Sequence, residues 1–120
     1  MTEWSYFVTG QPPSVNHLYS RRRGGGIYKA EGVERYQTLV VYETKLARAK
    51  EWEPAPQIRI FYDFLLWRKA DADNLKKALN DAIAIALGVN DDCFLDCTRS
   101  KVSGVKKAEA GVTVTVSNVA

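Results

Sequence analysis

The chain has 120 residues, 46% hydrophobic and 26% charged, with a formal net charge of +3. Length and balance describe one globular domain, residues 1–120, and exclude disordered, collagen-like and low-complexity classes. No run of about 18 apolar residues predicts a transmembrane helix, and one histidine with two cysteines is too few ligands for a zinc site.

The N-terminus, MTEWSYFVTG, lacks a basic stretch leading into an apolar one. No signal peptide or membrane association is therefore expected, and the chain is expected in the cytoplasm with reduced thiols. Residues 4–9 are aromatic and β-branched and read as a short strand. Gln11-Pro12-Pro13-Ser14 ends it, because proline cannot join a ladder. Residues 15–30 are irregular, with Arg21, Arg22 and Arg23, then Gly24-Gly25-Gly26, then a short strand over 27–29. Residues 31–50 read as a helix. Tyr36, Leu39, Val40, Glu43 and Ala47 fall at helical spacing, with Val33 and Leu46 supporting the apolar side.

Residues 57–67 give the strongest strand signal. Ile58, Ile60, Tyr62, Phe64 and Leu66 share one face, and the other face also turns apolar, which predicts a central strand. Residues 73–87 predict a second helix, through Leu75, Ala78, Leu79, Ala82, Ile83 and Ala86, ended by Gly88. Residues 93–103 and 111–118 read as two strands of a hairpin. Cys93 and Cys97 then lie about 13 Å apart, beyond disulfide reach. The expected fold is α+β, a mixed sheet with two main helices in the order β-α-β-α-β-β. Trp4, Trp52 and Trp67 are expected in the core or an interface, and Trp52 and Phe94 are candidates for a dimer seam.

The chemistry concentrates where the central strand meets the second helix. Asp71 and Asp73 point the same way if the chain is still extended there, and Asp73 suits an N-cap. Lys77 follows Asp73 by one helical turn, and Asp81 follows Lys77 by another. Asp91 and Asp92 open the next strand. If that strand returns beside the central one, three carboxylates and an amine meet at one sheet edge. Carboxylates suit magnesium, which keeps several waters and takes few protein ligands beside substrate phosphate. Taken singly, each feature also fits a cap, a surface ion pair or a solvated turn. Arg68, Lys69 and Lys76 flank the first acids, and with Arg21, Arg22 and Arg23 they are candidate phosphate contacts. His17 reads as a surface or hydrogen-bonding residue, and Asn74 either orients a carboxylate or serves the helix start.

Asp71-Ala72-Asp73-Asn74, Lys77, Asp81-Ala82, Gly88 and Asp91-Asp92 resemble the core of the RusA family of Holliday junction resolvases. Pro12-Pro13-Ser14-Val15-Asn16 is similar to that family's N-terminal motif, and Ile58-Arg59-Ile60 to its strand ahead of the acids. The chain departs from the family at Gly24-Gly25-Gly26. The resemblance implies that Asp71, Asp73 and Asp92 bind metal, with Asp91 a further candidate, and that Lys77 is the essential lysine. It also implies a homodimer that uses Mg2+ or Mn2+, and no small-molecule cofactor, to cut four-way DNA junctions by paired symmetric incisions, often with a prophage origin. The alternatives are a nuclease of the same fold acting on other branched or flap DNA, and a DNA-binding module without catalysis.

Overall fold

Five alternate residues of one strand, Ile58, Ile60, Tyr62, Phe64 and Leu66, have no solvent exposure. The rest of the fold is arranged around them. The computed structural model describes residues 2–14, 19–21, 27–29 and 31–119. The elements are β1 (Glu3–Thr9), β2 (Tyr19–Arg21), β3 (Ile27–Lys29), α1 (Glu31–Ala47), β4 (Ile58–Leu66), α2 (Ala72–Leu87), β5 (Phe94–Ser103) and β6 (Gly111–Asn118). Short 3-10 turns lie at Asp91–Cys93 and Lys107–Glu109. The expectations placed on Val15, Asn16, His17, Arg22, Arg23 and the three consecutive glycines fall outside the described residues.

β1, β6, β4 and β5 form a mixed sheet in that order, and β2 pairs with β3 as a separate ribbon. β4 lies antiparallel to β6 and parallel to β5, so it is central, as its two apolar faces predict. Val112, Val114 and Val116 of β6, Leu75, Leu79 and Ile83 of α2, and Val40 of α1 close over its buried face. The result is an α+β fold with both helices against one side of the sheet. No helix among the described residues is long and apolar enough to cross a membrane.

Four expectations change. Residues 93–103 and 111–118 do not form a hairpin, because β4 lies between β5 and β6. Their connection steps over the end of β4, where Val105 N–H donates to the Leu66 carbonyl at 3.1 Å. Cys93 belongs to a 3-10 turn rather than to the strand, and both cysteines are free. α1 stops at Ala47, and its packed stripe is Val33, Gln37, Val40 and Thr44, while Leu39 and Leu46 face out. The two polar members of the stripe are satisfied there: Gln37 Nε2 donates to the Ala78 carbonyl at 3.1 Å and Thr44 Oγ1 to the Val40 carbonyl at 2.6 Å. Finally, Trp52 and Phe94 are buried in the core and offer no seam.

Candidate active site

α2 begins one residue earlier than its apolar period suggests. Asp71, not Asp73, is the N-cap: its backbone is extended and its Oδ1 accepts from the Asp73 N–H at 3.1 Å. A capping carboxylate satisfies one of the orphan amides of the first turn and complements the helix dipole. Asp73 lies inside the first turn, so both carboxylates occupy the helix end, and both residues are exposed. At the other end Gly88 adopts the left-handed conformation, φ 69°, which its lack of a Cβ permits.

A cavity of about 360 Å³ opens beside Asp71, lined among others by Pro12, Ser14, Arg68, Lys69 and Asn74. Gln11 fastens the N-terminal segment to this rim. Its Oε1 accepts from the Trp67 and Arg68 N–H groups, each at 3.0 Å, and its Nε2 donates to the Arg68 carbonyl at 3.2 Å. The sequence carried the proline motif and the acids as separate features, and the fold brings Pro12 and Ser14 into one cavity with Asp71.

The rim is cationic. Arg68 and Lys69 are exposed, and Lys101 Nζ donates to the Ala70 carbonyl at 3.1 Å. The Trp67 ring has the Arg68 guanidinium 4.1 Å from its centroid and the Lys107 amine at 5.2 Å. Lys101 and Lys107 were not singled out by sequence. They come from the end of β5 and the turn before β6, and only the parallel pairing of β4 with β5 brings them here.

Lys76 differs from a free phosphate contact. Its side chain is only 14% exposed, and its amine lies 3.1 Å from Asp96 Oδ1 and 3.4 Å from Asp73 Oδ1. Burial acts to lower its pKa, but the bonds and charges of Asp96 and Asp73 outweigh it, so the amine is held above its ordinary value. Asp96 and Asn80 are therefore part of the site's surroundings, and the sequence reading missed them. The available signal was the stripe Asp73, Lys76 and Asn80 at i, i+3 and i+7. Lys77, one position on, is half exposed and lies 3.1 Å from Asp81 Oδ1. Both line a shallow groove that continues along α2 to Asn90 and Asp91.

The expected meeting of three carboxylates does not occur within the chain. Asp91 and Asp92 form the turn after α2, capped by Asn90, whose Oδ1 accepts from the Asp92 N–H at 3.1 Å. That turn leads into β5, whose first residue pairs with Ile58 at the start of β4, whereas Asp71 follows the end of β4. The two acid groups lie at opposite ends of α2, whose 16 residues span roughly 24 Å. Among the described residues, no three His, Cys, Asp or Glu side chains are grouped to hold a metal ion. A parallel return puts the start of β5 at the far end of the sheet from Asp71, which the sequence reading did not resolve.

The comparisons give this small α+β domain, with its acidic helix end beside basic side chains, a family and with it a class. The family model described as endodeoxyribonuclease RusA matches residues 9–117, and the chain belongs to the RusA family. No curated protein matches it. Among solved structures, 2C-methyl-D-erythritol 2,4-cyclodiphosphate synthase from Plasmodium vivax aligns over 95% of this chain and 91% of its own at 9% identity, with a TM-score of 0.36. That likeness is too slight to define a shared fold.

Proposed function

We propose that this endodeoxyribonuclease resolves four-way DNA junctions by paired, symmetric phosphodiester cleavage, acting in the cytoplasm as a homodimer of one-domain subunits with Mg2+ or Mn2+. The observation that carries the reading is the exposed pair Asp71 and Asp73 on one helix end, with Arg68 and Lys69 lining the cavity beside Asp71 and the Lys101 amine bonded to the adjoining Ala70 carbonyl. Asp71 and Asp73 supply hard oxygen donors and would hold a divalent ion that takes few protein ligands beside water and substrate phosphate, so the residues present fit such an ion. When bound, the ion supplies charge stabilisation at the phosphate and an activated water. The cations of the rim hold the DNA backbone, with Arg21, Arg22 and Arg23 as further contacts. Lys77, one turn beyond Asp73, neutralises charge developing on the phosphate.

Asp92 is the remaining proposed ligand, with Asp91 beside it. One ion cannot be shared across roughly 24 Å. We therefore assign Asp92 to the site of the other subunit. In a two-fold dimer with the α2 helices running in opposite directions, the Asp91–Asp92 turn of each subunit approaches the Asp71 end of its partner.

The experiment is cleavage of four-way, flap and linear duplex DNA across a Mg2+ and Mn2+ titration. The reading expects metal-dependent, paired cuts in the four-way junction and no cutting of linear duplex. Preferential cutting of flaps would make it a different branch-specific nuclease. Tight binding without cleavage at any metal concentration would make it a binding module.

A further inference from the structure

A line of hydrogen bonds, closed by an ion pair, runs from the core to Asp73. The Tyr62 hydroxyl, on a fully buried side chain, donates to Asn80 Oδ1. Asn80 Nδ2 donates to Asp96 Oδ2 at 2.8 Å. The other oxygen of Asp96 accepts from Lys76 Nζ at 3.1 Å, and the same amine lies 3.4 Å from Asp73 Oδ1. Each link fixes the next. Burial pushes the Tyr62 hydroxyl well above its ordinary pKa, so it remains a donor. It must therefore face the amide oxygen of Asn80, which turns the amide nitrogen toward Asp96. Asp96, held on one oxygen, presents the other to Lys76.

A lysine this enclosed has given up most of its rotamer freedom, and its amine is committed to two carboxylates instead of being presented to a phosphate. Asp73 itself is exposed, with 84% of its side chain accessible. Without Lys76 nothing in this line would restrain it. Asp71 is oriented separately, by the amide of the first helical turn.

We infer that Lys76, braced by Asp96 and Asn80, is a positioning residue that fixes the Asp73 carboxylate for a divalent ion. This rests on the assignment of Asp73 as a ligand. Partners of metal ligands of this kind typically change metal affinity by about 10–100-fold when lost.

The test is Mn2+ binding to the full-length protein, read from the loss of the free-ion EPR signal, with no DNA and no turnover. Lys76→Met keeps the aliphatic stem and removes the amine. Charge alone predicts tighter Mn2+ binding, because a cation beside the site has gone. Positioning predicts weaker binding, by about 10-fold or more, with Lys76→Arg restoring most of it. Asp96→Asn should weaken binding in the same direction. If that variant fails to fold, Lys76→Met decides alone, since it leaves Asp96 bound to Asn80. Mn2+ affinity unchanged or raised in Lys76→Met, alongside a clear loss in Asp73→Asn, would overturn the positioning role and leave the site standing. Unchanged affinity in Asp73→Asn would overturn both.

Discussion

Lys77 and Asp81 lie 3.1 Å apart as an i, i+4 pair on α2, with half of the lysine side chain exposed. Two readings of Lys77 differ in size. An exposed pair of this kind contributes about 0–1 kcal/mol, whereas removing a donor that stabilises transition-state charge costs about 10²–10³ in rate. Lys77→Ala is expected to lose cleavage on the larger scale in single-turnover assays with little change in junction affinity. A rate near that of the unmodified protein would overturn the charge-stabilising role. Asp63 gives a stability prediction of known sign. Its carboxylate accepts from Arg99 Nη2 at 2.7 Å and from Ser100 Oγ at 2.7 Å. The Arg99 bonds hold its pKa below the ordinary value, against the opposing pull of burial. A depressed carboxylate stabilises the fold above its unfolded pKa, and that contribution is lost as pH falls through the folded one. Asp63→Asn should therefore lower the melting temperature near neutral pH, and the gap should narrow below about pH 4. A gap independent of pH would contradict the assignment.

Between β1 and β6 the fit depends on one missing side chain. A Cβ on Gly111 would fall 2.5 Å from the Val8 carbonyl oxygen and closer still to the Phe7 ring. The ring can turn aside, but the carbonyl belongs to the β1–β6 ladder, in which Val8 pairs with Val112. Gly111→Ala should cost about 1–3 kcal/mol, the scale of overpacking, and an unchanged urea midpoint would show that the strands give way freely. The rim offers a second test. Lys101→Ala with Lys107→Ala should weaken junction and duplex binding alike, and each lost phosphate contact should reduce the slope of log affinity against log salt by about 0.9. Alanines at Arg21, Arg22 and Arg23 should act in the same way, and an unchanged slope would remove either group from the DNA surface. The elements themselves were legible, because β4 and α2 carry clean periods of 2 and 3.6. The packed face of α1 was not, since Gln37 and Thr44 are buried with their hydrogen bonds made inside the fold. Asp96 was equally hidden, because its meaning depends on Asn80 and Lys76, 16 and 20 residues away in the chain.

Across the whole molecule, the motif Asp71, Asp73, Lys77 and Asp92 was legible as a set of residue types, but its geometry was not. Sequence order placed Asp92 soon after α2 and invited a meeting with Asp71. The parallel pairing of β4 with β5 puts the two groups at opposite ends of that helix. The site as proposed is completed only by a second subunit, which makes assembly a condition of cleavage and gives the dimer two equivalent sites for two symmetric strands. The most direct test uses dimers of one Asp73→Asn subunit and one Asp92→Asn subunit, purified through two different tags. Each parent homodimer is expected to be inactive. If each site draws Asp73 from one subunit and Asp92 from the other, the mixed dimer carries one doubly altered site and one intact site, and it nicks a four-way junction once. If each subunit carries its own complete site, both sites in the mixed dimer are broken, and the absence of nicking would contradict the shared site.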